Sequence, residues 1–324
     1  MISLDNNKSA RIQVLRGLAI VAVVFIHTTP GGMTRVICRP FLNFAVGLFL
    51  FLSGMLSDAQ RWKPLKRIVK ILIPYVIWTF IYTLTLSYRF PVGVIKNYFR
   101  HLLFGNAAAM MYFVFIYSQF TLLIPLIDKL ARSRHKYLGF IISPLEIICI
   151  RLIPIVTGFQ MNKHISDISG RSCLGWFTYF YLGYLLGNNY IKVKVKTRTL
   201  VSLWAFSILL QMLEGYWYLS MGVDNCGTQL KLSAILSGSL FCLMAFKYIE
   251  SDSSKKLTLL ETLGNYSFGI FFCHLFIKKF LVLIPGYTSY VFYPLSSVIL
   301  VMISLAVVMA GHKILGKYAK YIAF

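Results

Sequence analysis

The chain has 324 residues, of which 58% are hydrophobic and 13% charged, with a mean hydropathy of +0.71. Soluble domains are about 45–50% apolar and about 25% charged, so this composition excludes a soluble globular protein and indicates a polytopic membrane protein. The formal net charge of +23 does not indicate a nucleic-acid partner, because the aromatic residues lie in apolar runs instead of alternating with the basic residues.

Apolar runs recur along the whole chain. Crossing a bilayer takes about 20 mostly apolar residues, and the runs bounded by charges, Pro or Gly predict about ten transmembrane spans. These spans lie near residues 11–28, 41–57, 67–88, 110–129, 137–157, 172–187, 199–219, 230–249, 266–284 and 291–311. A mixed segment at residues 90–106 predicts an amphipathic helix in the membrane interface. The sequence therefore predicts an all-α protein with a single integral-membrane domain over residues 1–324.

Lys and Arg are distributed unevenly between the two sides of this bundle. An even number of spans places both termini on one side, where the segments carry 22 of the 33 Lys and Arg residues, against 8 in the opposite segments. By the positive-inside rule both termini are expected to be cytoplasmic. The expected location is the inner (plasma) membrane, with the lipid bilayer as the first partner.

The first span carries Arg16 near its start and His27 at its end. Eleven residues at about 100° each exceed three full turns by about 20°, so both side chains point to one face, about 16 Å apart along the axis. Ionisable groups in a membrane persist where they face a cavity or a partner. Two alternatives stay open at this point. Arg16 could be an anchor that reaches the headgroups, and His27 an interfacial histidine bonded to a loop carbonyl.

Three ionisable residues lie in later spans. Glu146 and Arg151 share the fifth span and are expected to pair with each other or across helices. Glu214, in the seventh span, stands close to Tyr216 and Trp217. A carboxylate beside aromatic rings is typical of a sugar-binding corner, and it is equally typical of an interfacial aromatic belt.

The ninth span adds two secondary candidates, His274 and Lys278, which lie four residues apart. Lys278 and Lys279 sit deep in an apolar run, so at least one of them is expected to face a cavity. His274 is a further candidate for proton transfer.

The six cysteines form no CxxC pair, so no metal site is expected. Cys38, Cys173 and Cys226 fall near predicted external loops. Their spacing alone cannot show proximity, and a disulfide among them stays open.

Several segments together resemble the membrane-bound acyltransferase 3 family. The stretch "LRGLAIVAVVFIH" resembles the family's opening signature, an Arg followed after ten residues by a His. "VGLFLFLSGMLS" resembles its Phe-rich stretch ending in Ser-Gly, and "RIVKILIPY" its Arg-x-x-Arg before a proline. "YFYLGYLLGN" and "LGNYSFGIFFCHLF" are similar to its Phe-x-x-Gly-Tyr and Ser-x-x-x-Tyr-x-x-His segments. The resemblance covers nearly the whole chain, in order.

The chain departs from the family pattern at three points. Lys70 replaces the second Arg of Arg-x-x-Arg and lacks the planar fork that binds phosphate in a bidentate manner. Met111 and Tyr112 lie near the position where a Trp is expected, and Phe271 replaces the usual Tyr. These changes bear on the affinity for the acyl donor and the choice of acyl group more than on the type of reaction.

The resemblance implies an integral-membrane O-acyltransferase. Such an enzyme takes an acyl group, acetyl in the simplest case, from cytoplasmic acyl-CoA, a co-substrate, and transfers it to a hydroxyl of a cell-envelope glycan or lipid-linked carbohydrate. No permanently bound cofactor is implied. Arg16, Arg67 and Lys70 are the expected acyl-CoA-binding residues. His27 is the expected catalytic residue, either as general base or as nucleophile. The alternative is a membrane transporter or exporter of a glycan or polar solute that uses the same polar cavity without acyl transfer.

Overall fold

The computed structural model describes residues 6–87, 93–158, 169–251, 257–287 and 292–324. Every regular element in these ranges is helical, which confirms the all-α prediction. The α-helices are α1 (Asn6–Thr28), α2 (Met33–Cys38), α3 (Phe44–Met55), α4 (Pro64–Ser87), α5 (Val94–Phe104), α6 (Tyr112–Arg132), α7 (Ile142–Ile147), α8 (Ile153–Thr157), α9 (Phe177–Gly187), α10 (Thr197–Ser220), α11 (Leu232–Ile249), α12 (Thr258–Asn265), α13 (Ser267–Leu281) and α14 (Leu295–Leu315). A 3₁₀ turn (Arg39–Phe41) joins α2 to α3, and a π-helical turn (Ile148–Leu152) joins α7 to α8.

Eight helical segments of the described ranges are long and apolar enough to cross a bilayer, as a multi-pass membrane protein requires. They are Asn6–Thr28, Met33–Met55, Pro64–Leu86, Tyr112–Arg132, Lys136–Thr157, Thr197–Ser220, Leu232–Ile249 and Leu295–Ile322. The other two predicted spans correspond to α9 and α13, which have 11 and 15 residues. An 11-residue helix rises about 16 Å, about half of the hydrocarbon thickness. All 11 residues of α9 are buried, so it is an interior helix. Helix length therefore does not confirm the count of ten.

The predicted interfacial helix is present as α5. Its apolar side chains Ile95, Phe99 and Leu103 recur every four residues and are all exposed, which is typical of a helix lying on an apolar phase. The Tyr75 hydroxyl of α4 donates a hydrogen bond to the Leu102 carbonyl oxygen (2.6 Å) and fixes α5 against the bundle. Residues 90–92 of the predicted segment lie outside the described ranges.

Helices α3 and α9 touch backbone to backbone. A Cβ on Gly54 would lie 2.1 Å from the Phe180 carbonyl oxygen, and one on Gly183 would lie 2.0 Å from that of Phe51. Small residues at membrane helix interfaces permit this close approach. The Ser-Gly of the second predicted span and the Gly-Tyr of the sixth are therefore the two halves of one contact.

The beginning of α1 and the end of α11 lie on the same face of the bundle. Lys8 forms an ion pair with Glu250 (3.0 Å), and the Arg11 guanidinium donates to the Ile249 carbonyl oxygen (2.9 Å). This side is called the terminal face below, and the side where α1 ends is called the far face. All six cysteines are free thiols, so no disulfide joins Cys38, Cys173 or Cys226.

Candidate active site

A cavity of about 750 Å³ lies in the middle of the bundle. Its lining comes from α1, α3, α4, α6 and α13, and from the segment that precedes α11. Along α1 the lining runs from Ile12 to His27, a rise of about 22 Å. The cavity thus extends through much of the thickness of a bilayer. Its end near the terminal face is called the terminal end, and its end near His27 is called the far end.

Arg16 and His27 both line this cavity, as expected from their common helix face. In the described part of the chain the Arg16 guanidinium has no hydrogen-bond or ion-pair partner. The His27 ring is half-buried, while its main chain is fixed, because Lys278 donates to the His27 carbonyl oxygen. A cation in the middle of α1 and an imidazole near its end therefore face one internal space.

The terminal end brings the other predicted donor-binding residues to Arg16. Arg67 and Lys70, on the first turns of α4, also line the cavity. The Arg67 guanidinium donates to the Ser57 hydroxyl (2.9 Å) and is half-buried, whereas Lys70 is exposed. Lys66, only one residue before Arg67, is not in the lining. Three positive charges from two helices therefore converge at this end.

His274 lies behind His27 and outside the lining. The two ring centroids are 5.3 Å apart. The His274 Nδ1 atom is 2.9 Å from the carbonyl oxygens of Ile270 and Phe271, so it must carry the proton, because a carbonyl oxygen only accepts. His274 is completely buried, and its Nε2 has no partner among the described residues. Its position suits a group that orients His27 better than one that contacts a substrate.

Lys278 and Lys279 are not among the residues that line this cavity. Lys278 caps α1 through the His27 carbonyl oxygen. Lys279 donates to the Thr85 hydroxyl (2.7 Å) and lies 5.3 Å from the centroid of the Tyr82 ring. Both ammonium groups are satisfied by neighbouring helices, which explains how they persist in an apolar run.

Glu214 is engaged in helix capping and lies outside the cavity. Its carboxylate accepts hydrogen bonds from the backbone N–H groups of Leu232 (3.3 Å) and Ser233 (3.0 Å), and from the Ser233 hydroxyl. An anion at a helix N-terminus satisfies the free N–H groups and complements the helix dipole. Of the two interpretations of Glu214, the sugar-binding corner thus receives no support from its position.

Glu146 lies on α7 and Arg151 in the π-helical turn that follows it, and of the two only Arg151 lines the cavity. Their side chains do not come within the 4.0 Å of an ion pair. Neither carboxylate oxygen of Glu146 has a hydrogen-bond partner in the described ranges, and the same holds for the buried Nε of Arg151. The expected pairing between them is therefore not found.

Several lining residues of the far end were not singled out as site candidates from the sequence. They are Arg39, Trp176, Asn225 and Gln229. In the sequence Arg39 has the pattern of a charge in a loop, and its position before Pro40 and an apolar run is the one signal that distinguishes it. Trp176, Asn225 and Gln229 lie in connecting segments, whose positions in the fold cannot be predicted from hydrophobic periodicity. Tyr112 stacks on Trp176 (centroids 6.3 Å apart, 25° between planes).

Comparison with known proteins adds one finding. No curated protein and no solved structure matches the chain. A family model described as an acyltransferase domain, that of acyltransferase 3, matches residues 9–312. The match includes Arg16, His27, Arg67, Lys70 and the remainder of the cavity lining. The protein is a multi-pass membrane acyltransferase and belongs to the acyltransferase 3 family.

Proposed function

We propose that the protein transfers an acyl group, acetyl in the simplest case, from cytoplasmic acyl-CoA to a hydroxyl of a cell-envelope glycan or glycolipid. The observation that carries this proposal is a cavity with three cations at one end and His27 near the other. The positive-inside rule supports a cytoplasmic terminal face, in the inner membrane. Acyl-CoA then enters at the terminal end, and the acceptor reaches the far end from outside.

At the terminal end, Arg16, Arg67 and Lys70 would bind the phosphates of coenzyme A. Guanidinium groups form charge-assisted, bidentate hydrogen bonds with phosphate, and Lys70 adds a point charge. The pantetheine arm is uncharged and suits the apolar middle of the lining, where Val23 and Leu52 lie. The thioester would thus be presented towards His27.

At the far end, His27 would act in one of two ways. As general base it accepts the proton of the acceptor hydroxyl while that oxygen attacks the thioester carbonyl carbon. The tetrahedral intermediate then expels the coenzyme A thiolate, which takes the proton back from the imidazolium. As nucleophile, His27 would first form an acyl-imidazole and release coenzyme A, and the acceptor hydroxyl would then take the acyl group. Its ring, half-buried and facing the cavity, suits both.

The test is mass spectrometry of envelope glycans and glycolipids from cells that produce the wild-type protein or His27→Ala. The wild type should yield species heavier by one acyl group, and the variant should lack them while the purified protein still binds acyl-CoA. Solute export without acyl transfer predicts no such species in either strain. Acylation that persists in His27→Ala would refute the proposed role of His27.

A further inference from the structure

The far end of the cavity carries positive charge that the acyl donor does not explain. Arg39 and Arg151 line it, whereas the proposed phosphate-binding residues lie at the terminal end. Arg16 and His27 are already about 16 Å apart along α1, and the arm of coenzyme A that would cover this distance is uncharged. The donor therefore supplies no negative charge to the two far arginines.

The lining offers those arginines no carboxylate. In the described part of the chain it contains five basic side chains and no Asp or Glu; the basic ones are Arg16, Arg39, Arg67, Lys70 and Arg151. The nearest acid to Arg151 on its own helical segment is Glu146, which lies outside the lining and forms no ion pair with it. Guanidinium groups in a poorly hydrated cavity are strongly stabilised by an anion.

Unsatisfied polar groups converge at the same end. The Nε atoms of Arg39 and Arg151 and the indole Nε1 of Trp176 are buried and form no hydrogen bond with the described chain. Trp176 is only 2% exposed. The Gln229 side-chain oxygen is likewise buried and unpartnered. Buried polar groups are normally hydrogen-bonded, so three donors and one acceptor here indicate a polar ligand.

The Arg39 side chain is held in this position by its surroundings. Its Nη1 donates to the Asn225 side-chain oxygen (3.3 Å). Its Cδ occupies the space beside Gly227, where a Cβ would lie 2.6 Å away. The chain therefore provides room for this arginine and directs it by one hydrogen bond, while its Nε is left for a ligand.

The aromatic rings indicate the remainder of the ligand. Tyr112 and Trp176 stack on each other in the lining, and an aromatic face beside hydrogen-bonding groups suits a sugar ring. A second cavity of about 310 Å³ shares Tyr112 and Gly170 with this end. It provides space for a further unit of the same molecule.

We propose that the acceptor is an anionic carbohydrate, whose carboxylate or phosphate is bound by Arg39 and Arg151 while the hydroxyl to be acylated faces His27. This inference rests on the proposed acyl transfer, and it narrows the acceptor to one chemical class. Neutral sugars supply no negative charge to the two guanidinium groups and are poorer acceptors. Either a carboxylate or a phosphate can supply this negative charge. Probes that carry one or the other group show which of them is bound.

The experiment uses the full-length protein in lipid nanodiscs saturated with coenzyme A, so that the terminal end is occupied. Calorimetric titration compares methyl glucuronide (carboxylate), glucose 1-phosphate (phosphate) and methyl glucoside (neutral). At least one anionic probe should bind tenfold or more tightly than the glucoside, roughly the effect of one charge-assisted contact. Equal binding of all three probes, or no binding of either anion, would overturn the proposal.

Variants then locate the site. Arg39→Gln and Arg151→Gln should each weaken binding of the preferred anion by roughly tenfold and leave the glucoside unchanged. Arg35→Gln is the matched control, because Arg35 lies one turn earlier on α2 and outside the lining. Arg39→Lys, which keeps the charge, should retain part of the affinity, and unchanged coenzyme A binding shows that each variant is folded. An anion affinity that survives both glutamine substitutions would overturn the proposal.

Acyl transfer is measured in parallel, with the same probes as acceptors. If Arg39→Gln slows transfer to the anionic and neutral probes equally, Arg39 acts on the reaction and not on acceptor charge, and the proposal fails. Faster transfer to the neutral glucoside than to the anionic probes would also refute the anion site. The proposed acyl-transfer function would not be affected by that result. Anion binding that depends on Arg39 without any acyl transfer would refute the proposed function and leave the anion site intact.

Discussion

The two ends of the cavity are built in different ways. At the terminal end the cations come from regular helices, with Arg16 on α1, and Arg67 and Lys70 three residues apart on α4. At the far end Arg39 comes from a 3₁₀ turn and Arg151 from a π-helical turn. Helical spacing fixes which side chains share a face, whereas turns place side chains through tertiary contacts. The terminal end can therefore be predicted from the sequence, and the far end requires the structure.

The ends also differ in how their charges are satisfied. At the terminal end Arg67 is tied to Ser57 and Lys70 is exposed, so Arg16 is the cation without a partner in the described chain. At the far end Arg39 keeps one hydrogen bond to Asn225, but the Nε atoms of Arg39 and Arg151 are buried and form no hydrogen bond within the described chain. Leaving a buried donor unpaired costs more free energy than leaving a hydrated cation without a ligand. Discrimination between ligands should thus be stronger at the far end.

The largest expected effect comes from His27→Ala. Loss of an acid–base group costs about 10²–10⁴-fold in rate, and loss of a nucleophile would reduce the rate at least as much. Coenzyme A affinity should be unchanged, because its proposed phosphate site lies at the other end. Transfer of a radiolabelled acyl group from acyl-CoA and calorimetry of coenzyme A binding measure the two quantities.

The control for this variant is His135→Ala, since His135 is exposed and lies outside the cavity. It should transfer acyl groups at the wild-type rate. A His27→Ala protein that loses coenzyme A affinity and activity together would show that the two ends are not independent.

The second effect is at the terminal end. Arg67→Gln should weaken coenzyme A binding by roughly tenfold or more, the loss of one charge-assisted hydrogen bond, and should leave acceptor binding at the far end unchanged. Calorimetry with coenzyme A and then with the acceptor probes measures both.

Two further variants at the terminal end distinguish the charge of Arg67 from its hydrogen bond to Ser57. Lys66→Gln removes a charge next to Arg67 but outside the lining, and should have little effect. Ser57→Ala removes the tether of Arg67 and keeps its charge, so its effect should be smaller than that of Arg67→Gln. An equal loss in Ser57→Ala would mean that Arg67 acts by holding α3 to α4.

The sequence predicted the features that depend on local periodicity. These are the all-α fold, most span positions, the interfacial helix and the common helix face of Arg16 and His27. It also placed Arg67 and Lys70 at the start of α4. Hydrophobic runs and a 3.6-residue period are properties of the local chain, so they are visible without tertiary information. The roles of these residues and the orientation of the termini stay predictions.

What the sequence did not predict depends on contacts between distant segments. Glu214 had an aromatic neighbourhood in the sequence, but its carboxylate reaches α11 and caps it. Arg151 lies in a π-helical turn that follows the helix of Glu146, and no pattern in the sequence predicts this turn. Trp176 and Asn225 reach the cavity from connecting segments. Each outcome follows from where a neighbouring helix begins or ends.

A third, smaller effect tests the interpretation of Glu214. Glu214→Ala removes the acceptor of two backbone N–H groups at the start of α11 and should lower the free energy of unfolding by about 1–2 kcal/mol. Thermal unfolding in nanodiscs should move to a lower temperature, while the affinities for all acceptor probes stay at the wild-type level. If the variant lost affinity for the sugar probes without losing stability, Glu214 would be a residue of the acceptor site and not a helix cap.

The smallest expected effect is a gain at Lys70→Arg. Lys70 is exposed at the mouth of the terminal end, and a guanidinium there can bind phosphate through two parallel hydrogen bonds. Because contacts between exposed charges contribute little, coenzyme A affinity should rise only about two- to fivefold, and acceptor binding should not change. Lys66→Arg makes the same chemical change one helical turn away from Lys70 and outside the lining, so it should give no gain. If both variants tighten coenzyme A binding equally, the phosphates are attracted by the charge of the whole terminal face. The three lining cations would then not form a specific phosphate site at the terminal end.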